Sequence, residues 1–299
     1  MVSNETQQQI AREIKDSLDK FKEGIPQLTA VLDAFQRLLV ARSIARMEIP
    51  APDLSAVEID PVRLSSGSPI LNDRKIDVDR NSVKKVGRLI LPAIRKGFPK
   101  LDKPLERLIN FMDNDDTAMD TLHLILESGS SGTMQDLAAK LDISRPVLEF
   151  ICSELAKPFA EKFAESLTPR MAGLVWLKGY CPICGSWPSL SLLREKEGKR
   201  NLICSVCSYE YGYMRTQCPF CENGDHTKLE IIFSEDRKFE RAELCHVCNK
   251  YIVGIDTRDL INTPHPSTAP LGLIYLDFLA QDRGFSPGAT LAIARDLTM

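Results

Sequence analysis

The chain has 299 residues and 43% hydrophobic content, enough to bury a full core divided between two or more domains. Its formal charge of -3 and pI near 5.9 give no general attraction to nucleic acid or to an anionic membrane. No apolar run approaches the roughly 20 residues that a membrane span needs. The start, MVSNETQQQIAREIK, lacks the three regions of a signal peptide, so a cytoplasmic protein with reduced thiols is expected.

Residues 1–170 read as a helical domain. Ile10, Ile14, Leu18 and Phe21 recur at helical spacing, and Leu28, Val31, Leu32, Phe35, Leu38 and Leu39 repeat the pattern after Pro26. From Arg46 to Asn72 the sequence turns rich in Pro and Ser, the mark of an irregular connector. Helical periodicity resumes through Val83, Val86, Leu89, Ile90 and Ile94, then in Leu105–Phe111, Met119–Leu126 and Val147–Phe163, which predicts a bundle of about six to eight helices. Residues 171–260 change character. Short β-prone runs, Asn201–Ile203, Glu210–Met214, Leu229–Phe233 and Tyr251–Ile255, alternate with turns. Residues 261–299 open on Pro264, Pro266 and Pro270 and return to a helical pattern over Leu271–Gln281, with a short tail helix expected near Thr290–Leu297.

The middle zone carries the chemistry. Eight of the nine cysteines form four C-x-x-C pairs, Cys181/Cys184, Cys204/Cys207, Cys218/Cys221 and Cys245/Cys248. Two sulfurs two residues apart meet at one point from a tight turn, and two such turns supply the four thiolates of a tetrahedral ion. Two tetrathiolate sites holding iron or zinc are therefore expected, since both metals accept tetrahedral sulfur. In sequence order the pairs read C-x2-C-x19-C-x2-C and C-x2-C-x23-C-x2-C, each spanning a hairpin; an interleaved pairing is also compatible with the sequence. Gly185 and Gly224, after a first-pair and a third-pair cysteine, favour turns whose amides point at sulfur. Strands stapled by metal at their turns suit a segment with little apolar core.

The runs CPICGSWP (181–188), RNLICSVCSYEYGYMRTQCPFCENG (200–224) and RAELCHVCNKYI (241–252) resemble the FdhE family of formate dehydrogenase accessory proteins. The likeness goes beyond the cysteines: Glu210, Tyr211 and Arg215 sit between Cys207 and Cys218 at the family's spacing, and Ala242, Glu243 and Tyr251 also fit. The resemblance covers about 175–260. It implies an α+β protein: an N-terminal α-helical bundle, two small rubredoxin-like or zinc-ribbon β modules, and a C-terminal helix. It also implies a cytoplasmic maturation factor, not an enzyme, that binds the catalytic subunit of a molybdenum- or tungsten-dependent formate dehydrogenase. Glu210, Tyr211 and Arg215 are the expected partner-binding residues; a Glu210–Arg215 pair locking the two modules together is the competing role. Tyr211 and Arg215 are favoured as interface anchors because aromatic and Arg side chains often serve there.

Two other functions compete with this reading. Residues 133–155 have the outline of a helix-turn-helix, but Glu149 and Glu154 stand on its second helix with only Arg145 for phosphate, so ordinary bundle packing is expected. From Cys181 to Cys248 there are nine Lys/Arg and ten Asp/Glu, and two loaded tetrathiolate sites bring the total near -5, which argues against a nucleic-acid-associated ribbon or metalloregulator. Tyr209, Tyr211 and Tyr213 then form one face of a packed or partner-binding hairpin rather than a base-stacking platform. A dithiol oxidoreductase would need one accessible, metal-free pair. Cys152, among Phe150, Ile151 and Leu155, is expected to be an inert core residue, and His123, His226 and His246 to be non-ligands.

Overall fold

A computed structural model describes residues 2–71, 76, 78–115, 117–128, 131–261 and 263–289. Contacts divide the chain into two units: Met1–Pro52 with Lys75–Phe163, and Asp53–Arg74 with Ala164–Leu291. The Pro/Ser-rich connector and the described C-terminal segment thus belong with the cysteines.

The helical unit is built on α1 (Asn4–Gly24), α2 (Thr29–Glu48), α4 (Arg80–Gly97), α5 (Asp102–Asn114), α6 (Ala118–Ser128), α7 (Ser131–Leu141) and most of α8 (Arg145–Leu167); α3 (Pro61–Ser65) lies in the connector. Ser3 caps α1 by accepting from the Thr6 amide, and Asp79 caps α4 through the Ser82 amide, as short polar side chains do for orphan N–H groups. α2 packs against α1 and α4 and buries Leu32, Phe35, Leu38, Leu39, Ile44 and Ala45 around its circumference. The rings of Phe35, Phe98 and Phe150 meet edge-on, with centroids 4.9, 6.3 and 5.5 Å apart, each such pair adding about 0.5–1.5 kcal/mol beyond area burial. At the end of α4, a Cβ on Gly97 would fall 2.2 Å from the Ala34 carbonyl oxygen, so that crossing requires glycine. The helix-turn-helix outline resolves into core packing: α7 and α8 flank a turn at Asp142, and Leu148, Phe150, Ile151 and Cys152 of α8 are buried.

The second unit centres on one seven-stranded sheet: β1 (Pro188–Arg194), β2 (Lys199–Cys204), β3 (Glu210–Gly212), β4 (Leu229–Phe233), β5 (Glu240–Cys245), β6 (Lys250–Asp256) and β7 (Ser286–Pro287). The order is β3-β2-β1-β6-β5-β4, with β7 beside β6. Two antiparallel three-stranded meanders, β1–β3 and β4–β6, are joined where β1 and β6 pair in parallel, Ser191 opposite Gly254 and Leu192 opposite Ile255. The two small β modules therefore share a backbone ladder, a feature the local sequence did not announce. Strands β1 and β5 carry weak local signals: SLSLLR lacks β-branched residues and ERAELC is half charged, so neither has a strong intrinsic preference. α9 (Ala269–Gly272) and α10 (Ile274–Asp282) occupy the expected C-terminal helical stretch. α10 packs on β5, with the Tyr275 hydroxyl donating to Glu240 Oε2 at 2.8 Å. The tail helix expected near 290–297 lies outside the described residues. Among the described residues no helix is long and apolar enough to cross a membrane.

Candidate metal centres

Each C-x-x-C pair forms the same turn. The residue after the second cysteine, Gly185, Ser208, Glu222 or Asn249, takes a left-handed backbone with φ of 73°, 56°, 57° and 54° respectively. Its amide donates to the carbonyl of the first cysteine at 2.9, 3.2, 3.0 and 2.8 Å in the same order. In the first three turns the first cysteine's own amide donates to the carbonyl five residues on, that of Ser186, Tyr209 or Asn223; in the fourth, Cys245 pairs with Lys250 in the β5–β6 ladder. A left-handed non-glycine residue costs about 1–2 kcal/mol, so three of the four turns hold strain that these paired hydrogen bonds stabilise. Glycine was expected at two of these turns. Gly185 does occupy a left-handed position, with Pro69 of the connector 3.2 Å from where a Cβ would stand, whereas in the third turn Glu222, not Gly224, is the left-handed residue.

The turns converge in pairs. Cys181, Cys184, Cys204 and Cys207 form one cluster and Cys218, Cys221, Cys245 and Cys248 the other, with the sulfurs of each within 4.8 Å of one another. This is the sequential pairing. In the first cluster the sulfurs of Cys181 and Cys207, Cys184 and Cys204, and Cys184 and Cys207 lie 3.6, 3.4 and 3.6 Å apart. In the second, Cys218–Cys248 and Cys221–Cys245 are 3.8 and 3.6 Å. A tetrahedral ion with metal–sulfur bonds of about 2.3 Å sets its ligands on edges of about 3.8 Å, so both clusters fit iron or zinc with little movement. Backbone amides support the sulfurs: the Val206 N–H lies 3.4 Å from Cys204 Sγ, and the Phe220 and Cys221 amides turn toward Cys218.

Crowding also perturbs the thiols. Burial pushes Cys181 well above the ordinary thiol range and the neighbouring sulfurs push Cys207 up, while hydrogen bonds from Cys181, Cys204 and Cys207 pull Cys184 far down. A divalent ion held there would displace the thiol protons and permit four thiolates. In the second cluster burial raises Cys218 and takes Cys248 to about 11. That cluster is the more open of the two, with Cys221 exposed where three cysteines of the first are buried.

The connector forms part of the first site. The Ile70 and Leu71 amides donate to the Pro182 and Ile183 carbonyls at 2.9 and 2.8 Å, inside the first turn, and the Tyr180 hydroxyl donates to the Gly67 carbonyl at 2.7 Å.

Of the three residues expected to meet a partner, Tyr211 is buried and Glu210 is half-buried in an ion pair. Tyr211 is 6% exposed, its hydroxyl donating to the Gly179 carbonyl at 2.8 Å and its ring stacked on Tyr209. Tyr213 is buried as well, its hydroxyl donating to the Cys218 carbonyl. Glu210 pairs with Arg194 and accepts from Asn201 Nδ2 at 2.6 Å, so it braces the first meander and does not pair with Arg215. Arg215 is exposed. The locking role belongs to a residue the sequence did not single out. Arg200, its side chain 2% exposed, donates to Ser191 Oγ at 3.1 Å and to the Met214 and Gln217 carbonyls at 3.1 and 2.7 Å, and pairs with Glu243 on β5 at 2.5 Å. It ties the first meander to the second and to the loop between the clusters. An arginine in a strand beside a cysteine pair gives no local signal of this.

Cys152 is buried and burial takes its thiol up to about 12, as expected of an inert core residue. His246 is held by Glu230 at 2.9 Å and by the Phe285 ring edge; neither candidate metal cluster includes a histidine.

Residues 180–215 match the family model described as FdhE, central domain. The chain is 28% identical to a Protein FdhE homolog of Aquifex aeolicus over 271 residues, 88% of each chain. It is 32% identical to a Protein FdhE homolog of Haemophilus influenzae over 114 residues, 36% of this chain and 35% of that one. The crystal structure of the FdhE protein from Pseudomonas aeruginosa shares the fold, with a TM-score of 0.59, 20% identity and 96% of each chain covered. In its cysteine-bearing segment, along most of its length and in its fold, the chain is similar to proteins of the FdhE family.

Proposed function

We propose that the chain is a cytoplasmic accessory protein that binds the catalytic subunit of a molybdenum- or tungsten-dependent formate dehydrogenase during its maturation, and that it does not itself catalyse a reaction. The observation that carries this reading is the coincidence of the matched central domain with the first sulfur cluster: residues 180–215 contain Cys181, Cys184, Cys204 and Cys207 together with Glu210, Tyr211 and Arg215. Cys181, Cys184, Cys204 and Cys207 would hold one ion, and Cys218, Cys221, Cys245 and Cys248 the second. Zinc there would supply structure alone, whereas iron would add one-electron redox chemistry. The protein's own residues set the frame: the four turns present sulfur, Arg200 and Glu243 fix the meanders, and buried Tyr211 and, on the opposite face, Glu210 brace the first meander. Arg215 is left to meet the partner.

The test is co-purification from cells of the chain's source. Tagged protein should capture the formate dehydrogenase catalytic subunit, and cells lacking the gene should lose formate oxidation while still making that subunit. Capture of no such subunit, or full formate oxidation in the deletion strain, would refute the assignment.

A further inference from the structure

A cavity of about 230 Å³ opens in the second unit, on the face of the sheet that carries Arg241 and Glu243. It is lined by Arg241, Glu243 and Ile252 of β5 and β6, by Leu229 and Ile231 of the edge strand β4, and by the loop 215–220. The volume is several times the roughly 30 Å³ occupied by one water in the liquid, so a ligand with a body as well as a head fits.

Charge selects the head. Arg200, Arg215, Arg241 and Lys250 line the cavity beside two carboxylates, Glu243 and Glu230, and two sulfurs of the second cluster, Cys218 and Cys245. Both carboxylates are already engaged: Glu243 by Arg200, Arg241 and Ser191, Glu230 by His246 and Arg283. Arg241 is 11% exposed at its side chain, pairs with Glu243 through one terminal nitrogen at 3.1 Å, and has a buried Nε with no hydrogen-bond acceptor among the described residues. A buried N–H without an acceptor is costly, and a guanidinium fork is shaped to receive a two-oxygen anion. Arg215 lines the cavity, is exposed, and has no ion-pair partner among the described residues. Apolar walls select the body: Leu229, Ile231, Ile252 and Phe220 line the rest, and Ile231 remains 54% exposed on a strand that pairs on one side only.

We infer that this cavity binds a carboxylate carried on an apolar body, with Arg241 and Arg215 receiving the carboxylate and Ile231 and Ile252 the body. The inference does not depend on the identity of the protein partner. A free small acid and a Glu side chain flanked by apolar residues in an extended peptide share this chemistry.

Calorimetric titration of the metal-loaded full chain with hexanoate, hexanamide, inorganic phosphate and the blocked peptides acetyl-Val-Glu-Val-amide and acetyl-Val-Gln-Val-amide tests it. At least one carboxylate probe should bind saturably and its neutral amide counterpart about tenfold more weakly or not at all, the loss of one charge-assisted interaction. Arg241→Met and Arg215→Met should each lower that affinity about tenfold, with metal content unchanged. Arg215→Met is at an exposed position and keeps the test valid if Arg241→Met fails to fold. Tighter binding of the Glu peptide than of hexanoate would identify a protein segment as the source, and the reverse a free acid. Equal binding of acid and amide, phosphate binding above both acids, no saturable binding of either acid, or wild-type affinity in Arg215→Met would overturn the inference. If these arginines serve only to offset the charge of the second sulfur cluster, Arg241→Met will release metal and leave hexanoate binding unchanged, which also overturns it.

Discussion

Replacing Arg200 with Met removes the bond between the two meanders at nearly constant side-chain length. The guanidinium makes four contacts within 3.1 Å, to Ser191, Met214, Gln217 and Glu243, and its side chain is 2% exposed. The variant leaves two carbonyls without their donor and a partly buried Glu243 with Arg241 as its remaining cation. Breaking one side of a buried pair costs about 3–5 kcal/mol. The retained Arg241 contact places the expected loss near the lower end, about 3 kcal/mol. Both tryptophans, Trp176 and Trp187, lie in the second unit, so their fluorescence reports that unit's unfolding separately from the helical circular-dichroism signal. In urea at fixed metal concentration, the fluorescence midpoint should fall in proportion to this loss while the helical transition of the first unit stays in place. Arg200→Met combined with Glu243→Met should lose less than the sum of the single variants, because both variants break the same Arg200–Glu243 pair and the double change counts that loss once. A fluorescence midpoint within about 1 kcal/mol of wild type, or additive losses in the double variant, would show that Arg200 does not lock the sheet.

Metal removal should act on the connector as well as on the ribbon. Because the Ile70 and Leu71 amides bond to the first turn, stripping metal under reducing conditions should expose cleavage sites near 53–71 together with those in 171–260, while 80–163 resists; peptide mapping after limited proteolysis reads this out. Elemental analysis of anaerobically purified protein should give two equivalents of iron plus zinc, one per cluster, unchanged in Cys152→Ser and reduced to one by serine at Cys181, Cys204, Cys218 or Cys245. The second cluster should empty first: chelator titration with mass-spectrometric mapping of alkylated cysteines should modify Cys221 before any cysteine of the first cluster, since Cys221 is exposed. In the helical unit, Lys140 and Thr117 hold the Asp115 carboxyl at about 2, below its ordinary 3.8. A depressed folded value means that its contribution to stability is complete above the ordinary value and lost as pH falls toward about 2. Carboxyl NMR titration should show Asp115 rising toward 3.8 in Lys140→Met, and no movement would dismiss the pair.

The sequence determined the parts whose physics is local. Sulfur spacing fixed four turns, because two cysteines separated by two residues have one compact way to share a ligand, and helical periodicity at Leu32, Phe35 and Leu39 or Val83, Ile90 and Ile94 marked the core faces of the bundle. The burial of Cys152 followed from its apolar neighbours in the same helix. Tertiary structure decided what depends on residues far apart in sequence. The parallel pairing of β1 with β6 joins strands more than 50 residues apart, and no local pattern specifies which strand a meander meets. That ladder brings Arg200 to Glu243 and so moves the locking role away from Glu210 and Arg215. Strand alternation correctly separated Glu210 from Tyr211, but which face is covered depends on the segment around Gly179, whose carbonyl takes the Tyr211 hydroxyl. Periodicity assigns a residue to a face; only packing decides whether that face meets solvent or the protein's own interior.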